Sequence, residues 1–94
     1  MRIEVLQRHI DEAVEACANK EVGMNCPISL AAKEAGLYNP YTTNLYVYCG
    51  HMGFFKLPDE AQEFVHHFDG FRRGRFSKPE PIAFELVPVV PVPV

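Results

Sequence analysis

The clearest alternation of hydrophobic and polar positions lies at residues 57–70, LPDEAQEFVHHFDG. Apolar side chains recur there at helical spacing, and polar or charged side chains fill the positions between them. The apolar stripe consists of Leu57, Ala61, Phe64, Val65 and Phe68. Asp59 and Glu60 suit the positive end of a helix dipole, and Gly70 is the residue type that ends a helix in the left-handed conformation. The pattern predicts a helix that lays two phenylalanines on a core supplied by the other elements.

The N-terminal third alternates before it turns helical. Ile3 and Val5 alternate with charged residues, which favours a short strand over residues 2–6, although a helix also fits. A helix from Gln7 follows, with an apolar stripe at Ile10, Ala13, Val14 and Cys17. We expect a loop over residues 22–26 and a second helix, PISLAAKEA, over residues 27–35. Its face of small residues comprises Ile28, Ala31, Ala32 and Ala35, and Gly36 is placed to end it.

The middle of the chain has the two-residue period of strands. Residues 43–49 predict a strand with Leu45, Val47 and Cys49 on one face and Asn44, Tyr46 and Tyr48 on the other. Residues 50–53 predict a hairpin loop, and residues 54–57 predict the return strand into the central helix. A basic loop over residues 71–81 then leads to a last alternating segment at residues 82–87.

These elements predict an α+β domain over residues 1–87 in the order β-α-α-β-β-α-β. We expect one antiparallel-rich sheet of three or four strands, with the helices on one face. Grouping the two early helices in one layer gives the split βαβ (ferredoxin-like) pattern. Without the first strand, the arrangement becomes a three-stranded sheet with three helices.

Residues 88–94 form a C-terminal tail of only valine and proline. Proline donates no backbone hydrogen bond, so this segment cannot continue as a central strand. An apolar tail is sticky when free, and its prolines favour an extended backbone that docks at low entropic cost. We therefore predict that the tail packs in extended form, either on its own domain or across a second copy in a symmetric homodimer.

Composition narrows the setting and the class of partner. The net charge of −3 over 94 residues is too small to imply a polyanion partner for the whole chain. Three cysteines without a dense disulfide spacing indicate a reducing compartment. Acidic residues interrupt the N-terminus, and the longest apolar runs are far too short for a membrane span. These observations predict a cytoplasmic protein with no leader and no membrane association.

The charge is distributed unevenly, because residues 70–94 carry four Lys or Arg against two Glu. The segment FRRGRFSK at residues 71–78 provides the candidate binding residues, which are Phe71, Arg72, Arg73, Arg75, Phe76 and Lys78. Guanidinium groups interleaved with aromatic rings suit phosphates and bases. The alternative is a solvated loop whose phenylalanines enter the core and whose arginines pair with the surplus carboxylates.

No catalytic or metal motif stands out. Cys49 and His51 could form a nucleophilic pair at the hairpin tip, but Cys49 is in phase with Leu45 and Val47 and is better explained as a buried small side chain. Cys17 and Cys26 could join them around a metal ion, but the paired C-x-x-C knuckle is missing. We interpret His66 and His67 as cations near the end of the central helix. We therefore expect no enzyme, no metal and no cofactor.

Three segments resemble a pattern in small phage and actinobacterial proteins. They are CPISLA at residues 26–31, LPDEAQEFVHHFD at residues 57–69 and PIAFEL at residues 81–86. The family pattern is CPIxLA, then LPxxAxxFIxxFD, then PFxFxL. Here Val65 replaces the usual isoleucine, and Ile82-Ala83-Phe84 replaces Phe-x-Phe. The resemblance implies a phage or mobile-element setting and brings no activity with it.

Two functions follow as expectations. The first is a non-catalytic interaction protein, phage or mobile-element encoded, that modulates or inhibits an unidentified host protein. The alternative is a nucleic-acid-binding protein that uses the basic loop at residues 71–78. Salt dependence separates the two, because nucleic-acid binding weakens steeply as salt rises.

Overall fold

The computed structural model describes residues 1–16 and 22–89, over which strands and helices follow one another in the order β-α-α-α-β-β-β-α-β-β. The strands are β1 Arg2–Val5, β2 Tyr41–Thr42, β3 Tyr46–Tyr48, β4 Phe54–Lys56, β5 Ile82–Glu85 and β6 Val87–Pro88. The helices are α1 Gln7–Ala16, α2 Val22–Asn25, α3 Pro27–Glu34 and α4 Asp59–Arg72. The predicted α+β class is confirmed.

The strands form two antiparallel sheets instead of the single sheet that we expected. One sheet pairs β1 with β5, and the other has the order β2-β3-β4-β6. The division occurs at the buried Leu86, because the chain before it pairs with β1 and the chain after it pairs with β4. One continuous C-terminal run therefore serves both sheets, and the split βαβ arrangement does not form.

The predicted strand at the N-terminus is confirmed. Ile3 and Val5 are fully buried and lie opposite Phe84 and Ile82, while Arg2 and its alternating neighbours are exposed. This ribbon thus has one face in the core, against α3 and α4, and one face in solvent. The helical alternative for residues 2–6 is excluded.

Helix α1 buries a histidine that the apolar pattern did not indicate. Ile10 and Ala13 are buried as predicted, but Val14 is 38% exposed and His9 is only 3% exposed. The Leu6 N–H donates to His9 Nδ1 at 2.9 Å, and His9 Nε2 lies 3.0 Å from a Glu34 carboxylate oxygen. Both ring nitrogens therefore have hydrogen-bond partners, which offset the cost of removing this polar ring from water. Cys17 lies outside the described residues.

Helix α3 is confirmed, with its predicted start at Pro27 and its end at Glu34, one residue before the predicted Ala35, whereas the preceding segment differs. Residues 22–25 form the short helix α2 instead of a loop. Pro27 begins α3, and Gly36 ends it with φ +108°. The Leu37 N–H donates to the Ala32 carbonyl at 3.0 Å, which completes a Schellman motif and buries Leu37. Ala35 is exposed, so the buried face of α3 ends one turn earlier than the pattern indicated.

The predicted strand over residues 43–49 is only partly a strand, because residues 43–45 form the turn between β2 and β3 and the strand itself covers Tyr46–Tyr48. Thr43 Oγ1 accepts the N–H groups of Leu45 and Tyr46 at 3.3 and 3.0 Å, and this side-chain turn reverses the chain. Leu45 therefore lies at the turn and is 50% exposed, which corrects its inward assignment. Val47 and Cys49 are fully buried, as predicted.

Helix α4 and the C-terminal run complete the core. Of the predicted stripe, Leu57, Ala61, Phe64 and Phe68 are buried, and Val65 is half-buried against the core. β6 is an edge strand, where proline is tolerated, and the Val89 N–H donates to the Phe54 carbonyl at 3.0 Å. The start of the tail therefore docks on its own domain. Residues 90–94 lie outside the described residues, and the tail-mediated dimer stays a prediction.

Candidate functional site

The candidate binding segment begins on a helix. We expected Gly70 to end the central helix, but α4 continues through it to Arg72. The Gly74 N–H donates to the Phe71 carbonyl at 3.0 Å, the Arg75 N–H donates to the Gly70 carbonyl at 2.8 Å, and Gly74 has φ +75°. This is a Schellman motif with Gly74 as its left-handed residue. Phe71 and Arg72 are thus helical, and the basic loop begins only at Arg73.

Gly70 has a different role from the one that its residue type suggested. A Cβ atom at Gly70 would lie 2.1 Å from Cδ2 and 2.4 Å from Cε2 of Phe76. The Phe76 ring therefore folds back onto the bare backbone of α4. Its centroid lies 5.9 Å from that of His66 and 5.3 Å from that of His67. His67 Nε2 also lies 2.8 Å from the Ser77 carbonyl oxygen, so these histidines hold the loop instead of ending the helix.

The structure brings together only part of the predicted site. Phe71 is half-buried and packs against the core, with its ring centroid 6.5 Å from that of Phe68. Lys78 forms an ion pair with Asp11 of α1. Arg73 and Arg75 are exposed, and Phe76 is 44% exposed beside them. Each of the two interpretations of the loop therefore holds in part. Phe71 packs on the core and Lys78 is paired, as in the solvated-loop alternative, whereas the remaining candidate side chains are exposed, as a binding surface requires.

A groove separates this segment from the turn between β2 and β3. Its volume is about 480 Å³. Its main lining side chains are Asn44, Leu45, His66, Arg73, Arg75 and Phe76. Among residues 1–16 and 22–89, neither the Arg73 nor the Arg75 guanidinium forms an ion pair or a hydrogen bond. Asp69 is the carboxylate in the lining.

A second surface, which the sequence analysis did not single out, is the outer face of the four-stranded sheet. We call Tyr46, Tyr48, Phe54 and Val87 the aromatic face. Tyr48 pairs with Phe54 across β3 and β4, and Lys56 lies between Tyr46 and Val87 in the next row. Tyr48 is 43% exposed, Val87 is 59% exposed, and the other two are half-buried. The signal was present, because two tyrosines occupied the phase opposite to the buried Val47.

The three rings of the aromatic face contact one another. The centroids of Tyr46 and Phe54 lie 5.5 Å apart with an interplanar angle of 87°. The centroids of Tyr48 and Phe54 also lie 5.5 Å apart, and those of the two tyrosines lie 6.1 Å apart. These spacings are typical of favourable edge-to-face and tilted aromatic pairs. The rings are therefore held in place while one side of each faces outward.

The chemistry proposed for the hairpin tip finds no support in the surroundings of Cys49. Its side chain is fully buried, and burial raises the pKa of the thiol above its usual value. A raised pKa keeps the sulfur protonated and weakly nucleophilic. The prediction that Cys49 is a buried small side chain is confirmed. Cys17 and the side chain of His51 lie outside the described part, within which no three His, Cys, Asp or Glu side chains converge as metal ligands would.

Comparison with known proteins leaves the chain to be interpreted from its own geometry. Among the described residues, no helix combines the length and the apolar character that crossing a bilayer requires. No family model, no curated protein and no solved structure matches this chain.

Proposed function

We propose that this chain is a non-catalytic interaction protein, phage or mobile-element encoded, that modulates or inhibits a host protein by docking on it through the aromatic face. The observation that carries the proposal is the cluster of Tyr46, Tyr48 and Phe54 on a sheet face that remains partly exposed. Contiguous apolar surface is a mark of protein interfaces. The phage or mobile-element setting rests on the resemblance of the three sequence segments.

The chemistry of the aromatic face favours a protein over a nucleic acid. Tyrosine is enriched among interface hot spots, because its ring buries a large area while its hydroxyl keeps a hydrogen-bond partner. Lys56 is the cation within the face, and Asp59 and Glu60 follow it on α4. A single-strand binding platform needs a positively charged track beside its stacking rings. The occupant that fits is therefore an apolar patch on a partner protein.

Preorganisation also supports this use. The rings already contact one another, so docking immobilises few additional rotamers. Rigid aromatic anchors bind at a lower cost in conformational entropy than long aliphatic side chains do. The inner face of the same strands is anchored by the fully buried Val47 and Cys49, which fixes the backbone beneath the cluster.

The test is affinity capture followed by a quantitative comparison of variants. Wild-type protein, Tyr48→Ser and Met24→Ser are immobilised and exposed to host lysate. Met24 is 48% exposed and lies outside the aromatic face, so it is a matched control. We expect a partner retained by wild type and Met24→Ser whose Kd rises roughly tenfold or more with Tyr48→Ser, the scale of truncating a hot-spot aromatic. Equal affinity for all three proteins would contradict docking at this face.

The second candidate is nucleic-acid binding through residues 71–78. The observation in its favour is that the Arg73 and Arg75 guanidinium groups have no partner within the described parts of the chain. A gel-shift assay tests it, with wild type compared against the triple variant Arg72→Ala/Arg73→Ala/Arg75→Ala. Binding that the triple variant abolishes, and whose salt slope it flattens, supports the candidate. No shift of DNA or RNA at low salt eliminates it.

A further inference from the structure

The groove between the β2–β3 turn and the end of α4 combines apolar walls with two arginines that form no ion pair within the described part of the chain. Leu45, 50% exposed, and Phe76, 44% exposed, both line it. Neither residue belongs to the aromatic face. The groove is therefore a second surface. A ligand could bind in it whether or not a host protein docks on the aromatic face.

The two arginines of this groove differ from Arg8 and Lys78, which form ion pairs. Arg8 is paired with Glu34, and Lys78 is paired with Asp11. Arg73 and Arg75 line the groove with no ion pair among the described residues, although the whole chain has a net charge of −3. Guanidinium groups bind carboxylates through paired N–H donors in a fixed plane. The groove therefore offers two such donors to a ligand.

Both sides of the groove are fixed by local hydrogen bonds. The Thr43 hydroxyl accepts the Leu45 N–H and so holds one wall. The Arg75 N–H is bonded to the Gly70 carbonyl, and Phe76 rests on the backbone of that same glycine. A groove that is already ordered loses little conformational entropy when a ligand enters.

We propose that this groove binds a short acidic peptide segment, with a carboxylate on Arg73 and Arg75 and an apolar side chain between Leu45 and Phe76. The distribution of charge selects a peptide over a nucleic acid. Asp69 contributes a carboxylate to the lining of the groove. A nucleic-acid backbone carries a phosphate at every nucleotide and would meet the Asp69 carboxylate on a chain whose net charge is −3, whereas a peptide places a few charges where the guanidinium groups lie.

The probe is a short fluorescein-labelled peptide of alternating glutamate and leucine, titrated by fluorescence polarisation. A peptide with glutamine at every glutamate position controls for charge, and an oligothymidylate of similar length controls for phosphate. The variant is Arg73→Gln/Arg75→Gln, and the matched control is Arg2→Gln/Lys33→Gln. The control removes the same charge from exposed positions that do not line the groove.

We expect the acidic peptide to bind wild type and the control alike, and the double variant to raise its Kd about tenfold, as loss of charge-assisted hydrogen bonds does. Leu45→Ser should weaken binding as well, which separates groove binding from charge attraction alone. Melting curves establish that each variant is folded. Equal affinity for both double variants overturns the proposal, as does absence of peptide binding at millimolar concentration. Tighter binding of the oligothymidylate, lost in the same double variant, overturns it in favour of nucleic acid.

Discussion

Replacing Gly70 with alanine gives a sharp test of how α4 ends. An alanine in a helix interior is usually more stabilising than glycine by about 0.5–1 kcal/mol. Here the added Cβ would lie 2.1 Å from Cδ2 of Phe76, so the ring must move away by about 1.5 Å to reach ordinary contact. Moving this half-exposed phenylalanine exposes about half of its buried apolar area, which lowers the stability by roughly 1 kcal/mol. The two contributions nearly cancel, so Gly70→Ala alone should change the free energy of unfolding by less than about 0.5 kcal/mol.

The informative quantity is the coupling between the two sites. In a Phe76→Ala background the obstructing ring is absent, so Gly70→Ala should stabilise by about 0.5–1 kcal/mol. Urea denaturation of the four proteins gives the double-mutant cycle, with an expected coupling of about 1 kcal/mol. Gly74→Ala serves as control, because φ +75° there should cost about 1 kcal/mol in either background. If Gly70→Ala destabilises equally with and without Phe76, then the Phe76 ring does not obstruct position 70 and the reasoning fails.

Three further predictions address the core, a polar contact and a charge cluster. Phe68→Ala should lower the free energy of unfolding by about 3–5 kcal/mol, because the ring is 2% exposed, and a loss below about 1 kcal/mol in urea would contradict its central place. Ser29→Ala should cost roughly 1–3 kcal/mol by the same assay, because it leaves the buried Thr42 hydroxyl without its 2.7 Å partner; an unchanged midpoint would refute this. Hydrogen bonding from the Arg8 guanidinium, and then from His9, lowers the pKa of Glu34 to about 2. Charged Glu34 therefore stabilises fully above its unfolded pKa of about 4.3, and its contribution is lost as the pH falls towards 2. The difference in melting temperature between wild type and Glu34→Gln should shrink over that window, and a constant difference would count against the cluster.

The elements that depend on local signals could be predicted from the sequence. The stripe of α4 and the end of α3 at Gly36 follow from helical periodicity and from the left-handed preference of glycine. β1 follows from strict alternation over a few residues. In each case the pattern and the tertiary environment require the same conformation.

The features that depend on distant partners could not be predicted. Gly70 is the residue type that ends helices, but here it lies within α4. The presence of glycine at this position is explained only by the Phe76 ring, which packs where a Cβ would lie. The burial of His9 needs Glu34 from another helix, and periodicity does not encode that contact. The turn at Thr43 interrupts an alternating segment that the period alone extends as one strand.

The candidate surfaces show the same division. The sequence pointed to the cluster at residues 71–78, and Arg73, Arg75 and Phe76 do lie together at one groove. The contribution of Leu45 to that groove could not be foreseen, because its position depends on the hairpin turn. The aromatic face could be identified only once the neighbouring strands were known, because it depends on the pairing of β3 with β4 and of β4 with β6.

The pairing of β1 with β5 has a consequence for the order in which the chain folds. Its cross-strand partners run from Val5 with Ile82 to Arg2 with Glu85, so this ribbon closes over nearly the whole length of the chain. The β2–β3 and β3–β4 hairpins, by contrast, join residues close in sequence. Loop closure over long separations is entropically costly and slow, so we expect the hairpins to form first. During synthesis β1 therefore waits as an unpaired strand, and its alternation of Ile3 and Val5 with charged residues helps to keep it from aggregating until β5 emerges.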